Sequence, residues 1–146
     1  MLRPMTHEAE PPREALTTVA PVERERDLRR ALRRGWRRTC PSCGGGSLFD
    51  GYLSVRDRCV ACGERLDRHR ADDAPTWMTI LVVGHLVAPA MLFVWDTWDP
   101  PLWVHWTLWP PLSLLLCLAL LPRFKGAVIG LQWAWRLAGF GESPAR

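Results

Sequence analysis

Charge is almost missing from the middle of this chain. Residues 77–121 hold only Asp96 and Asp99, whereas residues 1–76 hold 27 of the 34 charged side chains and residues 122–146 the other five. Such a division excludes a single water-soluble core, because the apolar half has too few polar residues to face water on any side. No apolar run precedes residue 77, so nothing resembles a cleaved signal peptide. Paired carboxylates and a nucleophile–base arrangement are also missing, which argues against an enzyme. Tyrosine occurs once against nine tryptophans. Aromatic platforms near the basic residues are correspondingly scarce.

What fills the middle is two long apolar runs, Trp77–Trp95 and Leu102–Leu121, nineteen and twenty residues without a formal charge. At about 1.5 Å per helical residue each covers roughly the 30 Å hydrocarbon layer of a bilayer. Residues 96–101 between them are expected to form a tight periplasmic turn, with Pro100 and Pro101 at the first helical positions of the second span. That turn carries two Asp and no cation, while Arg68 and Arg70 precede the first span and Arg123 and Lys125 follow the second. Both termini are therefore expected on the cytoplasmic side. Trp77, Trp95, Trp98, Trp103 and Trp106 lie at span ends, as interfacial indoles do. His85, near mid-span, is expected as a neutral imidazole sharing a hydrogen bond with Ser113 of the partner helix. His105 lies about 12 Å of helix rise from that depth, too far for the two to hold one metal. Pro89, Pro110 and Pro111 are expected to kink the spans. Cys117 reads as a small apolar residue, residues 122–140 as an amphipathic interfacial helix, and residues 141–146 as a tail. Gly126 and Gly130 match a small-xxx-small spacing that is common by chance.

In the charged half, residues 1–22 have the composition of a disordered leader. Residues 23–38 read as an Arg-rich helical segment in which Arg29, Arg30, Arg33, Arg34, Arg37 and Arg38 share one broad face. The plain reading is a solvated charged helix. The sharper one is an anion-binding stripe for lipid headgroups, each Arg near them being worth about 1 kcal/mol. Lipid or protein contact is preferred to nucleic acid, since only Trp36 and Tyr52 are near as stacking platforms.

The most specific local signal is Cys40-Pro-Ser-Cys43-Gly44 followed by Cys59-Val-Ala-Cys62-Gly63, with fifteen residues between Cys43 and Cys59. Two CxxC pairs at this separation match a four-thiolate zinc site, each Gly permitting the left-handed turn that lets backbone N–H groups reach the sulfurs. Zinc is preferred to iron and to a thiol redox pair, for which the surrounding βαβ pattern is missing. Ser47–Phe49, Asp50-Gly51 and Tyr52–Val55 read as strand, two-residue turn and strand, which makes residues 39–70 a small zinc ribbon. Fifteen residues from Cys62 to Trp77 span at most about 50 Å, so the ribbon is tethered to the membrane surface. The fold expected is a mainly α membrane protein: a zinc-ribbon-like β-hairpin head, then a two-helix transmembrane hairpin.

Several of these stretches together resemble a known family. Cys40-Pro-Ser-Cys-Gly, Leu48-Phe-Asp-Gly-Tyr-Leu53, Cys59-Val-Ala-Cys-Gly, Asp72-Asp-Ala-Pro and Pro100-Pro-Leu-Trp-Val-His look like the small bacterial inner-membrane proteins of domain-of-unknown-function family 983, over about residues 36–137. The resemblance implies a two-pass inner-membrane protein and carries a lead toward haem–copper oxidase assembly. The long Arg-rich leader departs from the family's short N-terminus. The expected role is non-enzymatic: docking or assembly at the cytoplasmic face, with anionic lipid and a membrane protein as partners and no small-molecule substrate identified. Metal or haem handling through His85, His105 and the thiolates, and tethered nucleic-acid binding, are the alternatives.

Overall fold

The computed structural model describes residues 26–68 and 73–140. The leader at 1–22, the first three residues of the Arg-rich segment, Arg70, Asp72 and the tail at 141–146 lie outside the described residues. Three helices follow in order: α1 (Leu28–Trp36), α2 (Ala74–Trp98) and α3 (Leu102–Ala134). Helix α1 starts where the Asp27 carboxylate accepts the Arg30 N–H at 3.2 Å, and Arg33 and Arg34 complement the dipole at its other end. Arg37 caps it, and Arg38 turns the chain away with φ of 64°.

Helices α2 and α3 are long and apolar enough to cross a membrane. They pack on each other and leave the rest of their surface open. Ile80, Leu86, Leu92 and Phe93 are each more than half exposed, and α2 buries only Pro75, Thr79 and Val83. A soluble core helix would hide such a surface. The connection is shorter than the expected 96–101 turn. Helix α2 runs on through Asp96 and Thr97 to Trp98, then stops where Asp99 takes a left-handed conformation and returns its N–H to the Trp95 carbonyl at 3.0 Å. Pro100 and Pro101 stand ahead of α3, with Pro101 at its N-cap, because its extended ψ of 148° is not helical.

The break expected between the second span and a separate interfacial helix at 122–140 does not occur. Helix α3 passes through Pro122 without interruption and continues to Ala134. Pro122 has no N–H to give the Leu118 carbonyl four residues back. The Tyr52 hydroxyl donates to that carbonyl instead, which removes the main cost of the proline. The thirteen residues past Leu121 extend the rod by about 20 Å.

The head is built on this extension. Helix α1 runs antiparallel along it, Gly35 seated on Gly126 and Ala31 on Gly130. A Cβ on Gly35 would stand 2.1 Å from the Gly126 carbonyl oxygen, and one on Gly130 2.6 Å from that of Ala31. The small-xxx-small pair is thus the seat of α1, matched by Ala31 and Gly35. Trp36 closes the lower end edge-to-face on Phe124, at 5.2 Å. Val128, Ile129 and Phe140 join Cys40, Leu48, Phe49, Cys59 and Leu66 in one buried cluster.

The expected β-hairpin is corrected. No strand forms among the described residues; three isolated antiparallel bridges take its place, Thr39 with Ser47, Phe49 with Val55 and Arg58 with Arg65. Asp50 does not open a two-residue turn. Its N–H reaches the Ser54 carbonyl at 2.8 Å, so Gly51–Ser54 form a longer loop. The physical reason is length: the arms meet through the Asp50 N–H on the Ser54 carbonyl and the Arg56 N–H on the Leu48 carbonyl, runs too short for a ladder.

Candidate metal centre

Two equivalent turns bring the cysteines together. In the first, the Gly44 N–H closes on the Cys40 carbonyl at 2.8 Å; in the second, Gly63 closes on Cys59 at 2.9 Å. Both glycines sit at positive φ, 75° and 72°, as their place after each CxxC requires. Gly44 is held by a second constraint, since the Arg34 side chain passes 2.8 Å from where its Cβ would be. Gly46 was not singled out from the sequence. It is buried at the seam between the turns, and a Cβ there would stand 2.6 Å from Cys59 Sγ.

The four ligand atoms of Cys40, Cys43, Cys59 and Cys62 lie within 4.8 Å of one another. Cys40 Sγ is 3.8 Å from Cys62 Sγ, and Cys43 Sγ is 3.7 Å from Cys59 Sγ. Those are non-bonded distances, far longer than the roughly 2 Å of a disulfide. A tetrahedral ion with metal–sulfur bonds near 2.3 Å has sulfur–sulfur edges of about 3.8 Å. The four thiols fit such an ion and can hold it. Cys40 and Cys59 are buried, Cys43 and Cys62 exposed at the rim.

The thiols are not equivalent. Burial pushes Cys40 far above the ordinary thiol range. Desolvation also raises Cys62; although the residue as a whole is exposed, its sulfur faces the cluster. Cys43 is lowered to about 7, chiefly because the Gly45 N–H donates to its sulfur at 3.3 Å. The N–H that reaches the sulfur thus comes from one residue beyond the left-handed glycine.

Arginines surround the cluster unevenly. Arg29, Arg30, Arg33, Arg34 and Arg37 line one groove of about 570 Å³, whose far wall is Thr39, Cys43 and Gly44. Arg38 is not among them; its guanidinium stacks 5.6 Å over Phe49. Arg34 spans the groove to fix the first cysteine turn, donating to the Ser42 and Pro41 carbonyls at 2.6 and 3.1 Å. Five of the six expected anion-binding arginines are thus brought together.

The region past Leu121 joins the two halves. Lys125 Nζ donates to the Leu53 carbonyl at 2.8 Å, Trp133 Nε1 to Glu64 at 3.1 Å, and Arg68 to the Gly139 carbonyl at 2.8 Å. A family model described as a protein of unknown function, DUF983, matches residues 49–133. The chain belongs to the DUF983 family. The match takes in Cys59, Cys62, both apolar helices and the extension of α3; α1 and the Cys40–Cys43 turn lie ahead of it. No curated protein and no solved structure matches the chain.

His85 and His105 stay apart from the DUF983 head. His85 Nδ1 lies 2.8 Å from the Leu81 carbonyl of its own helix, not on Ser113, whose hydroxyl donates to Trp109 at 2.8 Å. The expected interhelical bond is replaced by two local ones, since each side chain reaches the carbonyl four residues back. His105 is buried near the other end of the hairpin, accepting from Trp109 Nε1 at 2.9 Å and lying 5.2 Å from the Trp95 ring. Cys117 is half-buried on α3.

Proposed function

We propose that this chain is a two-pass protein of the bacterial inner membrane whose cytoplasmic head binds one structural zinc ion and docks a partner protein, without catalysing a reaction. One observation carries the reading: the helix long enough to cross the membrane is the same helix whose Val128 and Ile129 complete the core around Cys40 and Cys59. A head built into its own anchor is suited to holding a surface at fixed height and orientation. Four protein thiolates fill a tetrahedral zinc and leave no open position for a reacting water, which supports a structural role. Zinc is favoured over iron by the closed four-sulfur set in a head this small, where binding energy becomes folding energy. Charge orients the hairpin: Arg123, Lys125 and the Arg-rich head at one end, Asp96 and Asp99 at the other.

Elemental analysis of the detergent-purified full chain tests the reading. One zinc per chain is expected, lost together with head stability in Cys40→Ser or Cys59→Ser. A metal-free protein with an intact head, or substrate turnover that disappears with the cysteines, would overturn it. The partner is sought by photocrosslinking from the exposed Val60 at the tip of the second cysteine turn.

A further inference from the structure

The groove between α1 and the first cysteine turn contains more positive charge than the metal centre needs. Residues 26–68 carry eleven Arg and five Asp or Glu, a net of +6, and four thiolates on a divalent ion would still leave +4. The surplus is concentrated. Arg30 pairs with Asp27, Arg56 with Asp50 and Arg65 with Asp67, whereas Arg29, Arg33 and Arg37 have no carboxylate partner among the described residues. Spaced four residues apart, these three form a row about 12 Å long from the first turn of α1 to its C-cap. Three unpaired guanidiniums facing one concavity repel one another, and an anion between them removes that cost.

We propose that this groove is a binding site for a phosphorylated anion bearing two or more phosphate groups in a row. The guanidinium fork matches phosphate oxygens in pairs, and a row of three suits a ligand whose charges are spread along its length. The lining consists of Arg, Asp27, Thr39, Cys43 and Gly44, with no aromatic or aliphatic side chain to seat an acyl chain. Asp27, at one end, faces Arg30 at 3.8 Å and limits the ligand to the stretch from Arg29 to Arg37. Arg34 ties the groove to the metal centre: it fixes the Pro41 and Ser42 carbonyls and so sets the far wall. The phosphates can belong to a free molecule such as pyrophosphate or to a lipid headgroup. The lipid source rests on the proposed membrane placement, in which the Arg37 end, beside Gly35 on Gly126, lies nearest the bilayer and Arg29 farthest from it.

The test uses the full chain, with zinc measured on every sample. Calorimetric titration with pyrophosphate is expected to show binding that weakens at least tenfold in R29Q/R33Q/R37Q and about threefold in R29Q alone. Arg58→Gln, outside the groove, should leave it unchanged. Co-sedimentation with vesicles of anionic phospholipid separates the sources. Vesicle binding lost in the triple variant and displaced by pyrophosphate identifies a lipid headgroup; pyrophosphate binding with vesicle binding unaltered by the variant identifies a free phosphoanion. Zinc-loaded protein that binds neither ligand, or binds both equally in wild type and triple variant, overturns the proposal while leaving the metal head standing. Missing zinc overturns the metal head, whatever the anion result.

Discussion

At the residue scale, one sulfur among four is set apart chiefly by one backbone donor. The Gly45 N–H holds the Cys43 thiol at about 7, while burial holds Cys40 well above the ordinary range. A thiol whose pKa is lowered gives up its proton first as pH rises, and the thiolate is the nucleophile. In chelator-stripped full-length protein, alkylation between pH 6 and 8 should therefore modify Cys43 before Cys62 and Cys40, as mapped by mass spectrometry. Simultaneous modification of all four would show that the thiol environments do not outlast the metal. Zinc binding runs with the same sign: protons compete for every ligand, so affinity falls as pH falls, and Cys40 recaptures a proton most readily. The CxxC spacing announces the ligands because only a tight turn places two sulfurs on one ion. Gly46 is silent in the sequence because its need arises from the other turn's Cys59, thirteen positions away.

At the element scale, the seat of α1 on α3 has no slack. Gly35→Ala drives a methyl into the Gly126 carbonyl, a backbone atom that cannot rotate away. The variant should lose about 1–3 kcal/mol of head stability, read by thermal unfolding and by faster zinc release to a chelator. Gly84→Ala, whose added methyl meets nothing within 4 Å, should be neutral or slightly stabilising. The Tyr52 contact gives a second test. Tyr52→Phe strands the Leu118 carbonyl and should cost about 1 kcal/mol. Pro122→Ala supplies the missing N–H, so the double variant should recover most of that loss, a coupling that a double-mutant cycle measures. These features explain why part of the fold was hidden in the sequence. Uncharged runs of nineteen and twenty residues reveal two long helices by length alone. Pro122 reads as a terminator until a donor seventy residues away is known, and Gly126-xxx-Gly130 gains its meaning from Ala31-xxx-Gly35, more than ninety residues away in the chain. Asp50-Gly51 suggests a tight turn, but the Asp50 N–H bonds the Ser54 carbonyl and sets a longer loop.

At the scale of the whole molecule, the proposed orientation makes opposite ends accessible from opposite sides. Ser54 lies exposed in the head loop and Thr97 exposed at the far end of α2. In the full chain, Ser54→Cys should react with a membrane-impermeant thiol reagent in inside-out vesicles only, and Thr97→Cys in intact spheroplasts only; the reverse pattern would invert the topology. The five span-end tryptophans stand between 53% and 71% exposed, positions consistent with indoles at the two interfaces. In the proposed placement one uninterrupted rod serves as both anchor and core, with no break between them along α3. With α3 seated in a bilayer, a change of ten degrees in its tilt carries the outer end of the rod about 3 Å sideways, and lipid thickness is what sets that tilt. In the proposed placement, the four-cysteine platform thus inherits the bilayer's geometry like a pointer on a gauge.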